Sequence, residues 1–267
     1  MPDRLMVAPR CESCGKEGRP GYRFCPNCGY SSGGSVAAAA DILDPADRAA
    51  NFRAQWTEIR RIGLLFSLLL FVSFLTGLVG RSFAGPRLEV LAEVVMAALA
   101  ILFAMPHLRE IARLLRLPSA RRRHTLEMVT VGLGLVAFLS AYFSLFRWLG
   151  FQTIKMAPPF IKAAWPLWSM YLAVSVLPAV VEELTFRGVI QTSLEQVFSQ
   201  RDALLIQAAL FSTLHLLPSV FLSHFAMGLC FGYLRNRARS VYPGMLVHAA
   251  WNALVVFREL HPGWVAT

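Results

Sequence analysis

Three short stretches place ionisable and amide side chains inside long apolar runs. In VVEELTFRG, residues 180–188, stand Glu182, Glu183, Thr185 and Arg187. Glu183 and Arg187 are four apart, so on a helix they share a face and can form an ion pair. Glu182 points about a hundred degrees away, which leaves one carboxylate for structure and the other free to react. FSTLH puts Phe211 and His215 on one helix face, and HAAWN does the same for His248 and Asn252. Carboxylates, imidazoles and amides take up protons or donate hydrogen bonds, the equipment of acid–base chemistry. Each of these groups alone reads more readily as a hydrogen bond or ion pair that holds helices together. Together they give three apolar helices a polar face each, and in a bundle such faces turn towards one cavity.

Lipid is a poor home for these groups. An ionisable side chain at the centre of a membrane helix costs about 2.5–3.5 kcal/mol on insertion scales. Glu182, Glu183 and Arg187 must therefore pair, face a wet cavity or lie near the interface. Pro178, one turn before Glu182, is expected to open the helix there.

The elements that must position them are apolar. The chain has 267 residues, of which 56% are hydrophobic and 16% charged, and the apolar residues come in blocks. A soluble domain usually carries about 25% charged residues. Seven spans are expected, at residues 62–80, 88–106, 126–149, 165–188, 203–217, 219–235 and 241–258. Most approach the ~20 residues that cross a bilayer; the fifth is short and the fourth is polar at its end. The expected fold class is an all-α polytopic membrane protein, with about seven transmembrane helices between residues 62 and 260.

The net charge of +10 comes from arginines set between those spans, which argues for membrane topology and lipid headgroups and against nucleic acid. Arg48, Arg53, Arg60 and Arg61 precede the first span; Arg109, Arg113, Arg116, Arg121, Arg122 and Arg123 follow the second; Arg235, Arg237 and Arg239 follow the sixth. By the positive-inside rule these segments and the N-terminus are cytoplasmic. The expectation is a multi-pass protein of the inner (cytoplasmic) membrane, with membrane lipid as a partner.

Residues 1–30 read differently. Two Cys-x-x-Cys pairs, Cys11/Cys14 and Cys25/Cys28, are separated by ten residues, and Gly15 and Gly29 follow them. Four thiolates at this spacing make a closed tetrahedral Zn²⁺ site. The expectation is a small N-terminal β zinc ribbon with a structural Zn²⁺, rather than two disulfides, because reduced thiols prevail in the cytoplasm. Residues 31–61 read as a flexible linker followed by an interfacial helix, RAANFRAQWTEIRR, capped by Asp44 or Asp47. The first long apolar run begins near Ile62, so the segment before it reads as a domain and linker rather than a cleavable leader. A ribbon of this kind also suits a protein partner.

EELTFRG, FSTLH and HAAWN, in that order on successive apolar segments, resemble the Glu-Glu-x-x-x-Arg, Phe-x-x-x-His and His-x-x-x-Asn motifs of the CPBP family, also called the Abi family. That family contains the type II CAAX prenyl endopeptidases and many bacterial relatives. The resemblance covers about residues 165–257 and leaves the ribbon and the first spans outside. It implies an intramembrane endopeptidase of the glutamate type acting on membrane-associated or C-terminal peptides. On that pattern Glu182, with His215, activates a water, His248 and Asn252 stabilise the oxyanion, and Glu183 and Arg187 hold the helix end. An apolar surrounding makes a carboxylate a stronger base near neutral pH.

Two alternatives stand beside it. Glu and His are also zinc ligands, so a metal-dependent version of the protease is open, although the chain has no His-Glu-x-x-His. A non-catalytic scaffold or bacteriocin-immunity-type protein would keep the motifs for packing. His224 matches no motif and reads as a helix-contact or interfacial residue, His107 and His124 as solvated, and Gly228 and Gly232 as small residues that let helices approach.

Overall fold

Alanine, glutamate and arginine favour the helix, and no proline or glycine stands between Ala46 and Ile62. One helix, α1, therefore runs unbroken from Pro45 to Phe83. The segment expected as a separate interfacial helix is its N-terminal part. The computed structural model describes residues 10–11, 45–83, 85–118, 122–151 and 155–262. Of the expected ribbon, only Arg10 and Cys11 are among them; Cys14, Cys25 and Cys28 lie outside the described residues.

Six more long helices follow. α2 spans Pro86–Leu114. It tightens at Met105–His107, where Pro106 lacks the N–H of a regular turn. α3 is Arg122–Trp148. After a short helix at Ala157–Lys162 come α4, Leu167–Leu194, and α5, Gln200–Leu214. Ser199 caps α5 by accepting from Asp202 N at 3.1 Å. α6, Phe221–Ala238, ends at Arg239 in the left-handed conformation (φ 51°), and α7 is Tyr242–Leu260, with Pro243 in its first turn.

Each of the seven expected apolar runs overlaps one long helix, with different bounds. Four of the helices, at Phe52–Gly80, Pro86–Leu114, Thr125–Trp148 and Leu167–Leu194, are long and apolar enough to cross a membrane. α5, α6 and α7 have 15, 18 and 19 residues and carry polar side chains that lower their hydropathy. Polarity is inverted relative to a water-soluble domain. Phe71, Phe74, Ile101, Leu102, Leu133 and Leu246 are exposed, whereas Glu183, Arg187, Gln191, Gln207, Ser212, Ser223, Arg235 and His248 are buried. An apolar outer surface over a polar interior is what lipid as solvent selects. The chain is a membrane-embedded, mostly helical protein.

Two close approaches set the bundle. A Cβ on Gly228 would lie 2.7 Å from Ala208 Cα, so α5 and α6 touch backbone to backbone, as the Gly228/Gly232 spacing predicts. Arg61 donates to Phe103 O at 2.9 Å and to Ser193 Oγ at 3.4 Å, which ties α1 to α2 and to the end of α4. His107, expected in solvent, instead sits between Glu58 (3.2 Å) and Glu110 (3.6 Å) with its side chain 14% exposed.

α4 is irregular in a way that bears on the site. It widens into π-type turns at Leu172–Val176 and again at Glu183–Ile190, with α-helical Leu177–Glu182 between. Such turns are often found at functional sites. Pro178 lacks the N–H that a regular helix would aim at the carbonyl of Val174. Asn252 Nδ2 of α7 donates to that oxygen at 3.2 Å. The expected opening of the helix by Pro178 is thus repaired from a neighbouring helix.

Candidate active site

The three motifs meet inside α4–α7. Arg187 Nη1 donates to Glu183 Oε1 at 2.9 Å, and both side chains are 0% exposed. Burying this pair costs desolvation of two charges, and its surroundings offset part of that cost. The Arg187 Cζ lies 4.3 Å from the ring centre of Phe211 and 5.1 Å from that of Phe231. Arg187 Nε and Nη2 have no hydrogen-bond partner among the described residues, so the ring faces stand in for acceptors.

Glu183 also receives His248, whose Nδ1 lies 3.3 Å from Glu183 Oε1. The other imidazole nitrogen, Nε2, lies 3.8 Å from Glu182 Oε2. His248 therefore stands between the two adjacent carboxylates, with Phe231 stacked on its ring at 5.2 Å. Glu182 differs from Glu183 in making no ion pair at hydrogen-bond distance and in having a side chain 12% exposed rather than 0%. One carboxylate is locked in an ion pair and the other stands beside an imidazole, and Oε2 of each is buried without a hydrogen-bond partner among the described residues.

His215 follows the last residue of α5, and Leu216 after it has positive φ (54°). Its Nδ1 lies 3.0 Å from Phe211 O. A carbonyl only accepts, so Nδ1 carries the proton and Nε2 keeps its lone pair. Phe211 connects the two imidazoles: its ring is 5.2 Å from that of His215 and 6.1 Å from that of His248, edge-on to both. Among the described residues no hydrogen bond joins His215 to Glu182 or His248. Asn252 spends one N–H on Val174 O and has a second to offer.

Four residues enter the site that the motifs did not indicate. His224 of α6 packs on His215 with ring centres 3.8 Å apart. Phe231 faces both Arg187 and His248, and nothing in its sequence setting marks it. Gly244 makes room for Glu183, since a Cβ there would lie 2.7 Å from Glu183 Oε2. Glu93 of α2 lies within electrostatic reach of Glu182, and its Oε2 is buried without a hydrogen-bond partner among the described residues. A carboxylate inside an apolar span was the available signal for Glu93. Among the described residues, no group of three or more His, Cys, Asp or Glu side chains is placed to hold one metal ion.

The family model described as type II CAAX prenyl endopeptidase Rce1-like matches residues 164–254. That stretch takes in α4 to most of α7 and all three motifs. The match supports the CPBP family and, at that level, a membrane endopeptidase of the CAAX-protease type. Comparison with curated proteins and with solved structures returned no match.

Proposed function

We propose that this chain is an intramembrane endopeptidase of the glutamate type, hydrolysing peptide bonds of membrane-associated or C-terminal peptides near the cytoplasmic face. The observation that carries it is Glu182 Oε2, without a hydrogen-bond partner among the described residues and 3.8 Å from His248 Nε2 on the facing helix. Catalytic contacts are commonly loose before substrate binds. In the proposed reaction Glu182, aided by His215, takes a proton from a water whose oxygen attacks the scissile carbonyl. The oxyanion accepts hydrogen bonds from the second N–H of Asn252 and from His248 Nε2, which donates when the ring carries both protons, its Nδ1–H being held by Glu183. Collapse breaks the C–N bond, and the proton held by Glu182 passes to the leaving amine. Glu183 and Arg187 anchor His248 rather than react.

The bundle crosses the inner (cytoplasmic) membrane seven times with its N-terminus in the cytoplasm, which the arginine-rich segments support. Cys11, Cys14, Cys25 and Cys28 hold one structural Zn²⁺, and the ribbon they build is a docking module for a protein partner.

The test is cleavage. Full-length protein in nanodiscs is offered a mixed library of apolar and lipidated peptides, read by mass spectrometry, with Glu182→Gln in parallel. Cleavage by the wild type alone is expected. Absence of turnover, together with loss of thermal stability in Glu182→Gln, would sink the protease reading in favour of a scaffold.

A further inference from the structure

His215 occupies an awkward place for a residue that must present one nitrogen accurately. It lies beyond the last turn of α5, beside a residue with positive φ, and a single carbonyl holds its Nδ1. Rotation about the Cβ–Cγ bond would break that bond and aim Nε2 elsewhere. Two rings oppose such rotation. Phe211 meets the imidazole edge-on at 5.2 Å, and His224 covers it at 3.8 Å with the planes inclined by 47°.

His224 is itself held. Its Nδ1 lies 3.0 Å from Val220 O and 3.2 Å from Ser223 Oγ. Ser223 is fully buried, and its hydroxyl donates to the same Val220 carbonyl at 2.8 Å, leaving its oxygen to accept from His224. Val220 O therefore fixes Nδ1–H in His224, as Phe211 O does in His215. The connection between α5 and α6 is drawn together by Ser212 Oγ, which donates to Phe221 O. His224 is thus a rigid plate in the first turn of α6, just after a short, closed connection, laid against a loosely tethered imidazole.

From this we infer that His224 is a positioning residue: its ring holds His215 in the Nδ1–H tautomer with Nε2 directed at the reacting water. The inference rests on the proposed protease reading for its consequence, but not for its geometry. Misplacing a reacting group by about 1 Å can cost on the order of a hundredfold in rate.

The experiment uses the full chain in nanodiscs and four variants. His224→Phe keeps a flat ring, His224→Ala removes it, His224→Gln keeps bulk without a ring, and His215→Gln identifies the His215 signal. The first readout is ¹⁵N NMR of histidine-labelled protein, which needs no substrate. His215 is expected as a single Nδ1–H tautomer in the wild type and in His224→Phe, and as an averaged mixture in His224→Ala. The second readout is cleavage: kcat falls about tenfold or more in His224→Ala with KM unchanged, and His224→Phe restores most of it. If His224→Ala does not fold, His224→Gln is expected to give the same two losses. An unchanged His215 spectrum in whichever ring-less variant folds overturns the inference. A wild type that cleaves nothing while the tautomer still depends on His224 overturns the protease reading instead.

Discussion

Asn252 reaches across from α7 to the carbonyl of Val174, at 3.2 Å, the acceptor that Pro178 leaves without its regular helical donor. The proline and the asparagine are therefore two halves of one device. Removing the amide strands a carbonyl in an apolar interior, which costs about 1–3 kcal/mol. Asn252→Ala is expected to lower unfolding stability in detergent by that amount. In a Pro178→Ala background, which returns the N–H, the same change is expected to cost at least ~0.5 kcal/mol less. Strictly additive losses in the double-mutant cycle would show that Asn252 does not serve the proline break.

The buried ion pair makes a sharper contrast. Glu183→Gln leaves the Arg187 guanidinium enclosed without its counter-charge, and about 3–5 kcal/mol of stability is expected to go with it. Glu183→Gln/Arg187→Met is expected to recover much of the loss, because a neutral side chain of similar length needs no partner. Glu182→Gln, by contrast, removes no ion pair at hydrogen-bond distance and is expected to leave the melting temperature near that of the wild type. Thermal unfolding of the four proteins in one detergent decides the matter.

Glycines give a test of packing that is independent of chemistry. A Cβ on Gly228 or Gly244 would stand 2.7 Å from Ala208 Cα or from Glu183 Oε2, whereas one on Gly134 meets nothing within 4 Å. Overpacking costs about 1–3 kcal/mol. Gly228→Ala and Gly244→Ala are expected to destabilise on that scale and Gly134→Ala to be neutral. Gly244→Ala is also expected to lower turnover, since it displaces the carboxylate that holds His248.

Metal content separates the two ends of the chain. About one zinc ion per chain is expected by elemental analysis of purified protein, and none after Cys11, Cys14, Cys25 and Cys28 are all changed to Ser. Zinc retained by the four-serine variant, and lost on His215→Gln, would place a metal in the membrane site and revive the metal-dependent alternative.

Much of this arrangement was legible in the sequence, for reasons that can be named. Glu183 and Arg187 pair because four residues bring side chains together even on the widened turns of α4. His248 and Asn252 point inward from one face of α7, as their spacing required. What escaped was whatever depends on tertiary context. No propensity announces the wide turns at Leu172–Val176 and Glu183–Ile190. His224 meets His215 only because the chain reverses between α5 and α6. Arg61, read as a headgroup arginine, instead binds Phe103 O and Ser193 Oγ. Arginine clusters mark a side of the membrane; which guanidinium turns inward is decided by the carbonyls that the bundle leaves free.

The widened stretch at Glu183–Ile190 amounts to one residue more than an α-helix of the same length would hold. Deletions inside helices usually swing everything downstream by a hundred degrees or so. Here the loss of one residue, Leu184 for example, would let the segment close into ordinary turns while Gln191–Leu194 kept its bearing. Glu183 and Arg187 would then be three apart, still neighbours on a helix. This segment can therefore vary in length by one residue without scrambling the surface that follows it, a tolerance that substitution scans would never reveal.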